Sequence, residues 1–318
     1  MTHFPDPEFV MANGVRLATY KGGSPNERPA VILVHGWPEI AYSWKHQIDP
    51  LVQAGFHVIA YDQKGFGASD CPEGVDQYDI AHMTDDLAGL LDALEIDRAI
   101  LCGHDWGGAV VWPMAQLHPE RVAGVIGVCT PHRPPPPVPP LQIMEDRFTA
   151  NHYIVQFQQA DIPEQTFAGR EEAFFRFIFR YSPGREHWPA IIPGVFDFLN
   201  GFAAFDAANT DNFILNPEDL QVFVDAYKKS GFRGGINLYR NIDQNYEIMK
   251  SRDPVIPYPS LWIGADRDLF LPMEGADRME KLVPDLEKQV IENCGHWVMW
   301  EKPEALNALL IDWLNRRF

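Results

Sequence analysis

The sequence predicts an α/β protein: a mostly parallel sheet core interrupted by an inserted helical cap. Three observations carry this expectation. Short apolar runs ending at turn residues alternate with helical patterns through the first third of the chain. A proline-rich stretch then stops the alternation, and more than a hundred residues follow without a strand signal. Strand-like runs return near the C-terminus, so the sheet is assembled from two separate pieces of chain.

In chain order, residues 29–35 (P-A-V-I-L-V-H) form a continuous apolar run, the pattern of a strand buried on both faces. Residues 56–62 (F-H-V-I-A-Y-D) form a second, followed by a turn-rich stretch at 63–70. Ile80, Met83, Leu87, Leu90, Leu91 and Leu94 recur at helical spacing and mark an amphipathic helix. Residues 98–103 read as the next strand, 107–117 as a helix and 122–129 as another buried strand. The run at 132–140 (H-R-P-P-P-P-V-P-P) cannot continue a helix or a central strand, because proline lacks an N–H and fixes φ. It reads as a stiff hinge into the insertion. Residues 141 to about 250 are rich in Phe, Tyr and helix formers, and a second proline-bearing connector at 253–259 closes them off. Strand signals resume at 261–265 and 287–292, and Leu306, Leu309, Leu310 and Trp313 form the stripe of a final helix. The expected division is a discontinuous core, residues 1–132 and 254–318, with a helical cap at 133–253.

Composition narrows the function. A formal charge of −18 disfavours polyanionic partners such as nucleic acid, which need clustered Lys and Arg. Cys71, Cys102, Cys129 and Cys294 are scattered without metal-ligand spacing, so neither a disulfide framework nor a zinc site is expected. No segment approaches the roughly 20 apolar residues of a membrane span, and the first residues lack the pattern of a secretory leader. A cytoplasmic protein without cofactor or membrane partner is the expectation.

The strongest local signal is Gly103-His104-Asp105-Trp106-Gly107-Gly108, lying between an apolar strand and a helix. Small residues in a G-x-nucleophile-x-G turn allow a sharp elbow that projects one side chain over the sheet. The usual occupant is serine, and here it is Asp105. A serine alkoxide suits carbonyl carbon, whereas a carboxylate can displace a leaving group at saturated carbon and form an alkyl ester. Upstream, His35-Gly36-Trp37-Pro38-Glu39 follows a strand where such folds place one oxyanion donor, here the N–H of Trp37; the other is the N–H of Trp106. Downstream, Asp266-Arg267-Asp268 and Gly295-His296-Trp297 each follow a strand. Nucleophile, acid and then histidine is the chain order of α/β-hydrolases.

With these motifs the chain resembles the α/β-hydrolase-fold epoxide hydrolases over nearly its whole length. The resemblance implies that Asp105 opens an epoxide as nucleophile and that His296, oriented by Asp268 rather than Asp266, drives hydrolysis of the resulting ester. Gly234-Gly235-Ile236-Asn237-Leu238-Tyr239-Arg240-Asn241 resembles one segment bearing a cap tyrosine of that family, and Asn151-His152-Tyr153-Ile154-Val155-Gln156-Phe157-Gln158 the other. Tyr239 and Tyr153 are therefore expected to hydrogen-bond the epoxide oxygen. An alkoxide is too basic to leave unassisted, and a phenol remains protonated at neutral pH and can supply that bond. Glu39 and His104 are expected to help position the water. Phe148, Phe157, Phe174, Phe175, Phe177 and Phe179 suggest a small apolar epoxide, and the chain is read as a monomer or homo-oligomer. Haloalkane dehalogenases share the aspartate, but they commonly carry Asn at the position of Trp37, and fluoroacetate-type enzymes carry Arg at that of Trp106. A catalytically silent binding protein of the same fold is the remaining alternative.

Overall fold

The computed structural model describes residues 4–148, 151–206, 208 and 211–318. Its centre is an eight-stranded sheet: β1 Glu8–Ala12, β2 Val15–Gly22, β3 Ala30–Val34, β4 Val58–Tyr61, β5 Ala99–His104, β6 Val122–Val128, β7 Ser260–Ala265 and β8 Leu286–Ile291. The spatial order is β1-β2-β4-β3-β5-β6-β7-β8. From β4 to β8 every pairing is parallel, while β1 and β2 add an antiparallel edge. β3, β4, β5 and β7 are buried at every position, which is why they read as unbroken apolar runs.

Two elements depart from the sequence reading. The hairpin β1–β2 was not expected, although its turn, Asn13-Gly14, carries the Asn-Gly pair that favours a primed turn. Both residues adopt positive φ, 50° and 80°. Helix α1 (Lys45–Gln53) was also not expected; Pro50 falls inside it and masks its pattern. The helices α2 (Ile80–Ala93) and α3 (Trp106–Leu117) lie where the spacing placed them, and α13 (Val298–Glu301) and α14 (Pro303–Arg317) follow β8.

Between β6 and β7 the described residues contribute no strand to the sheet. They hold α4 (Pro140–Phe148), α5 (Tyr153–Gln156), α6 (Ile162–Phe167), α7 (Glu171–Ile178), α8 (Trp188–Phe196), α9 (Phe198–Ala204), α10 (Pro217–Ser230), α11 (Arg233–Arg240) and α12 (Ile242–Met249). Aromatic rings knit this layer together. Phe174 packs on Phe167 and Phe232 with centroids 4.8 Å apart in each pair, the offset or edge contacts that aromatic quadrupoles prefer. The side chain of Phe148 lies outside those described. Contacts that seat the layer on the core include the Lys45–Asp219 ion pair, the Trp297 indole donating to the Ile178 carbonyl at 2.9 Å, and Trp37 against Phe157 at 5.3 Å. No helix among the described residues is long and apolar enough to cross a membrane.

Because β3, β5 and β7 run parallel, their C-terminal ends open on one edge of the sheet. Ligands of open α/β sheets bind along such an edge.

Candidate active site

Asp105 leaves β5 with φ 50° and ψ −119°, a conformation that non-glycine residues rarely adopt. The neighbouring glycines make this turn possible by close approach. A Cβ on Gly107 would lie 2.0 Å from the Val34 carbonyl oxygen, and one on Gly103 would lie 2.3 Å from that of Gly107. Thr130 secures the elbow from behind, donating its hydroxyl to the Asp105 carbonyl at 2.7 Å.

The Asp105 carboxylate has two different environments. Its Oδ1 accepts the Trp37 N–H at 2.8 Å, and Trp106 opens α3, where helix geometry leaves its N–H without an intrahelical acceptor. Its Oδ2 lies 3.5 Å from Nε2 of His296. The other imidazole nitrogen, Nδ1, donates to Asp268 Oδ2 at 2.8 Å. Asp268 Oδ1 accepts the N–H groups of Phe270 and Leu271, each at 2.9 Å, so the acid is held at both oxygens. Asp266, the neighbouring carboxylate, instead accepts the Cys294 N–H at 3.1 Å and serves the loop. Burial opposes charge on His296, yet Asp268 and Asp105 overcome it and raise its pKa well above the usual imidazole value. Burial likewise pushes Asp268 up, and His296 with its own hydrogen bonds brings it below the ordinary carboxylate range.

Glu39 and His104 are fully buried and pair with each other at 2.8 Å. Burial opposes both charges, but the partner's charge wins in each case: Glu39 is lowered and His104 is raised to about 10. Glu39 Oε2 also accepts the Gly36 N–H at 2.7 Å, and His104 Nε2 contacts the His296 carbonyl oxygen at 2.9 Å. The pair thus braces the backbone on either side of Asp105.

Tyr239, on α11, and Tyr153, at the start of α5, face Asp105 from the helical layer, their ring centroids 5.6 Å apart. Burial raises both phenol pKa values, and the Asp105 carboxylate adds to it, so both hydroxyls keep their protons. Sequence reasoning missed the residues that hold this pair together. Gln158 donates to the carbonyls of Ile154 and Tyr239, at 2.9 and 3.0 Å. Arg240 donates to those of Phe157 and Gln159 and pairs with Glu164. Both lie inside the tyrosine-bearing segments, but nothing in their spacing announces a bond between distant segments.

A cavity of about 20 Å³, enough for one water, lies over Asp105 between the tyrosines and His296. Ile178, Phe198, Phe270, His296 and Trp297 line both it and an adjoining outer chamber of about 700 Å³. Of the phenylalanines singled out in the sequence whose side chains are described, Phe177 lines that chamber, and Phe157, Phe174, Phe175 and Phe179 are packed away in the core. His104, Cys129 and His296 bring potential metal ligands within 4.8 Å of one another. The imidazole nitrogens are already engaged with Glu39, Asp268, Asp105 and the His296 carbonyl, so this cluster suits a hydrogen-bond network better than an ion.

A mostly parallel sheet with an elbow aspartate after β5, a buried acid after β7 and a histidine after β8 defines an α/β-hydrolase fold, and the chain matches that family over residues 29–303. Epoxide hydrolase A of Mycobacterium tuberculosis is 38% identical, with 98% of each chain covered. Bifunctional epoxide hydrolase 2 of Sus scrofa is 36% identical over 95% of this chain and 54% of its own length. The crystal structure of epoxide hydrolase A from Mycobacterium thermoresistibile superimposes with a TM-score of 0.89 at 34% identity, again with 98% of each chain covered. The chain belongs to the epoxide hydrolases of the α/β-hydrolase fold.

Proposed function

We propose that the chain converts epoxides to vicinal diols through a covalent hydroxyalkyl ester on Asp105. One observation carries this reading: a carboxylate at the elbow faces two protonated phenols on one side and the His296–Asp268 pair on the other. Asp105 Oδ2, the oxygen without a backbone donor, attacks an epoxide carbon. The carbon–oxygen bond breaks, and the leaving oxygen takes a proton from Tyr239 or Tyr153. Water then gives a proton to His296 and attacks the ester carbonyl, whose oxygen is held by the N–H groups of Trp37 and Trp106. Collapse returns that proton to the leaving diol oxygen, and the second proton of the attacking water passes from the new carboxyl of Asp105 to the tyrosinate, which restores both residues. Glu39 Oε1, which receives no hydrogen bond among the described residues, is the acceptor assigned to the water, with His104 supporting Glu39.

On the same reading residues 133–253 act as the cap and residues 1–132 with 254–318 as the core. The substrate is a small apolar epoxide entering through the outer chamber, and the protein works in the cytoplasm as a monomer or homo-oligomer. Purified protein is expected to convert styrene oxide to its diol and to release little halide from 1-chlorobutane or fluoroacetate. Halide release without diol would transfer the site to dehalogenation, and neither product would leave a binding protein.

The mechanism also fixes a pH response. Asp105 is one of the charges that raise the His296 pKa, and esterification removes that charge. His296 should therefore hold its proton in the resting enzyme and lose it more readily once the ester forms. Asp105→Asn is expected to shift the imidazole titration, followed by NMR, to lower pH. Ester hydrolysis should accelerate as pH rises through the lower value. An unchanged or upward shift would refute this coupling.

A further inference from the structure

The loop carrying His296 is held by a carboxylate that the mechanism does not use. Glu301, in the last turn of α13, folds back on the loop: its Oε2 accepts the Gly295 N–H at 2.9 Å and its Oε1 accepts the Trp297 N–H at 3.2 Å. The two oxygens therefore straddle His296, one on each flanking residue. The contact is tight enough to dictate sequence. A Cβ on Gly295 would lie 2.8 Å from Glu301 Oε1 and 2.8 Å from the Ser182 Cβ, so only glycine fits. On the other side the His296 carbonyl is held by His104. Backbone on both sides of the imidazole is thus fixed by side-chain hydrogen bonds, from the partly buried Glu301 and the buried His104, rather than by secondary structure.

We propose that Glu301 is a positioning residue for the hydrolytic step, holding the His296 ring at the ester through this two-oxygen clasp. The proposal rests on His296 being the base of that step. Its logic follows from what changes during turnover. In the resting protein Asp105 Oδ2 lies 3.5 Å from Nε2 and helps to orient the ring. Esterification removes that charged contact when the base is needed. Orientation then depends on Asp268 at Nδ1 and on the backbone that Glu301 and His104 hold. Attack by Asp105 on the epoxide requires no base, so the first step is insensitive to the clasp. Glu301 also forms no ion pair with Lys, Arg or His among the described residues, and its position on the outer chamber places a carboxylate beside the imidazole. Burial raises its pKa, and the two N–H bonds with the His296 charge oppose that rise.

Glu301→Gln tests the clasp with little change of shape. The amide offers one acceptor in place of two and turns an N–H₂ group toward a backbone donor. In single turnovers, alkylation read by tryptophan fluorescence should stay within about twofold of the parent, because a group supporting another through hydrogen bonds affects only the step that uses it. Ester hydrolysis should slow by about tenfold or more, as loss of supporting partners typically does. The adduct should accumulate in intact-protein mass spectra. Glu301→Asp, which keeps the charge but not the reach, should show the same partition and covers the case in which the amide variant does not fold. Equal slowing of both steps would reduce Glu301 to general loop stability and overturn the proposal, as would unchanged hydrolysis. His296→Gln run alongside separates the two levels. If it still hydrolyses the ester, the base role falls and the clasp with it. If it is blocked while Glu301→Gln hydrolyses normally, only the clasp falls.

Discussion

In heavy-oxygen water with enzyme in excess, a single turnover should release mostly unlabelled diol and leave the label in the peptide containing Asp105. On the proposed mechanism the first oxygen added to the epoxide comes from Asp105 Oδ2, and solvent oxygen replaces it when water attacks the ester carbonyl. Direct attack of water, with Asp105 as a base, gives the opposite pattern: labelled diol at once and no label in the protein. His296→Gln sharpens the contrast. A carboxylate attacks without a base, whereas water needs one, so the variant should alkylate and stop. Its mass should rise by that of one substrate molecule, and Asp105→Ala in the same protein should abolish the adduct. Labelled diol in the first turnover, with no adduct in the variant, would falsify the nucleophilic role. The geometry behind the expectation is the division of the carboxylate, with one oxygen on the Trp37 N–H and the other open toward His296.

Loss of the tyrosine hydroxyls should have the next largest effect. On the proposed mechanism each phenol stabilises the alkoxide where charge develops, in a cavity of about 20 Å³ that leaves little solvent to substitute for it. Removing one such donor costs roughly 3 kcal/mol, or about a hundredfold in rate. Tyr239→Phe and Tyr153→Phe should each slow alkylation by that order, and the double variant should nearly abolish it. The loss should fall on alkylation, since on the proposed mechanism ester hydrolysis uses the N–H groups of Trp37 and Trp106 instead. An unchanged alkylation rate in Tyr239→Phe would remove Tyr239 from the mechanism. Because Gln158 and Arg240 hold the backbones of the two tyrosine segments to each other, Tyr→Phe leaves the scaffold intact.

The parts of the fold legible in the sequence were those with a local signature. Buried parallel strands such as β3 and β5 are apolar on both faces and read as unbroken runs. The hairpin at Asn13-Gly14 had a turn signal, but β1 lies at the sheet edge with Phe9 and Met11 exposed, so no apolar run drew attention to it. The aromatic residues of the insertion suggested apolar substrates, with many rings expected simply to pack, and Phe157, Phe174, Phe175 and Phe179 are buried in the core; composition shows that rings are present and not which way they face.

By itself the sequence determined the elbow, the order of nucleophile, acid and histidine, and the two segments carrying the tyrosines. Each depends on residues adjacent in the chain or on strand ends that local patterning marks. The resemblance already favoured Asp268 over Asp266, and the tertiary structure supplies the contacts behind that choice: Asp268 reaches the imidazole, and Asp266 turns to the Cys294 N–H. It likewise paired Glu39 with His104 beneath the site, joined Gln158 to Tyr239 across 81 residues and closed Glu301 over the flanks of His296. These contacts join groups that local spacing does not connect. Their partners are set by the burial of polar atoms that must find hydrogen bonds once the core has excluded water.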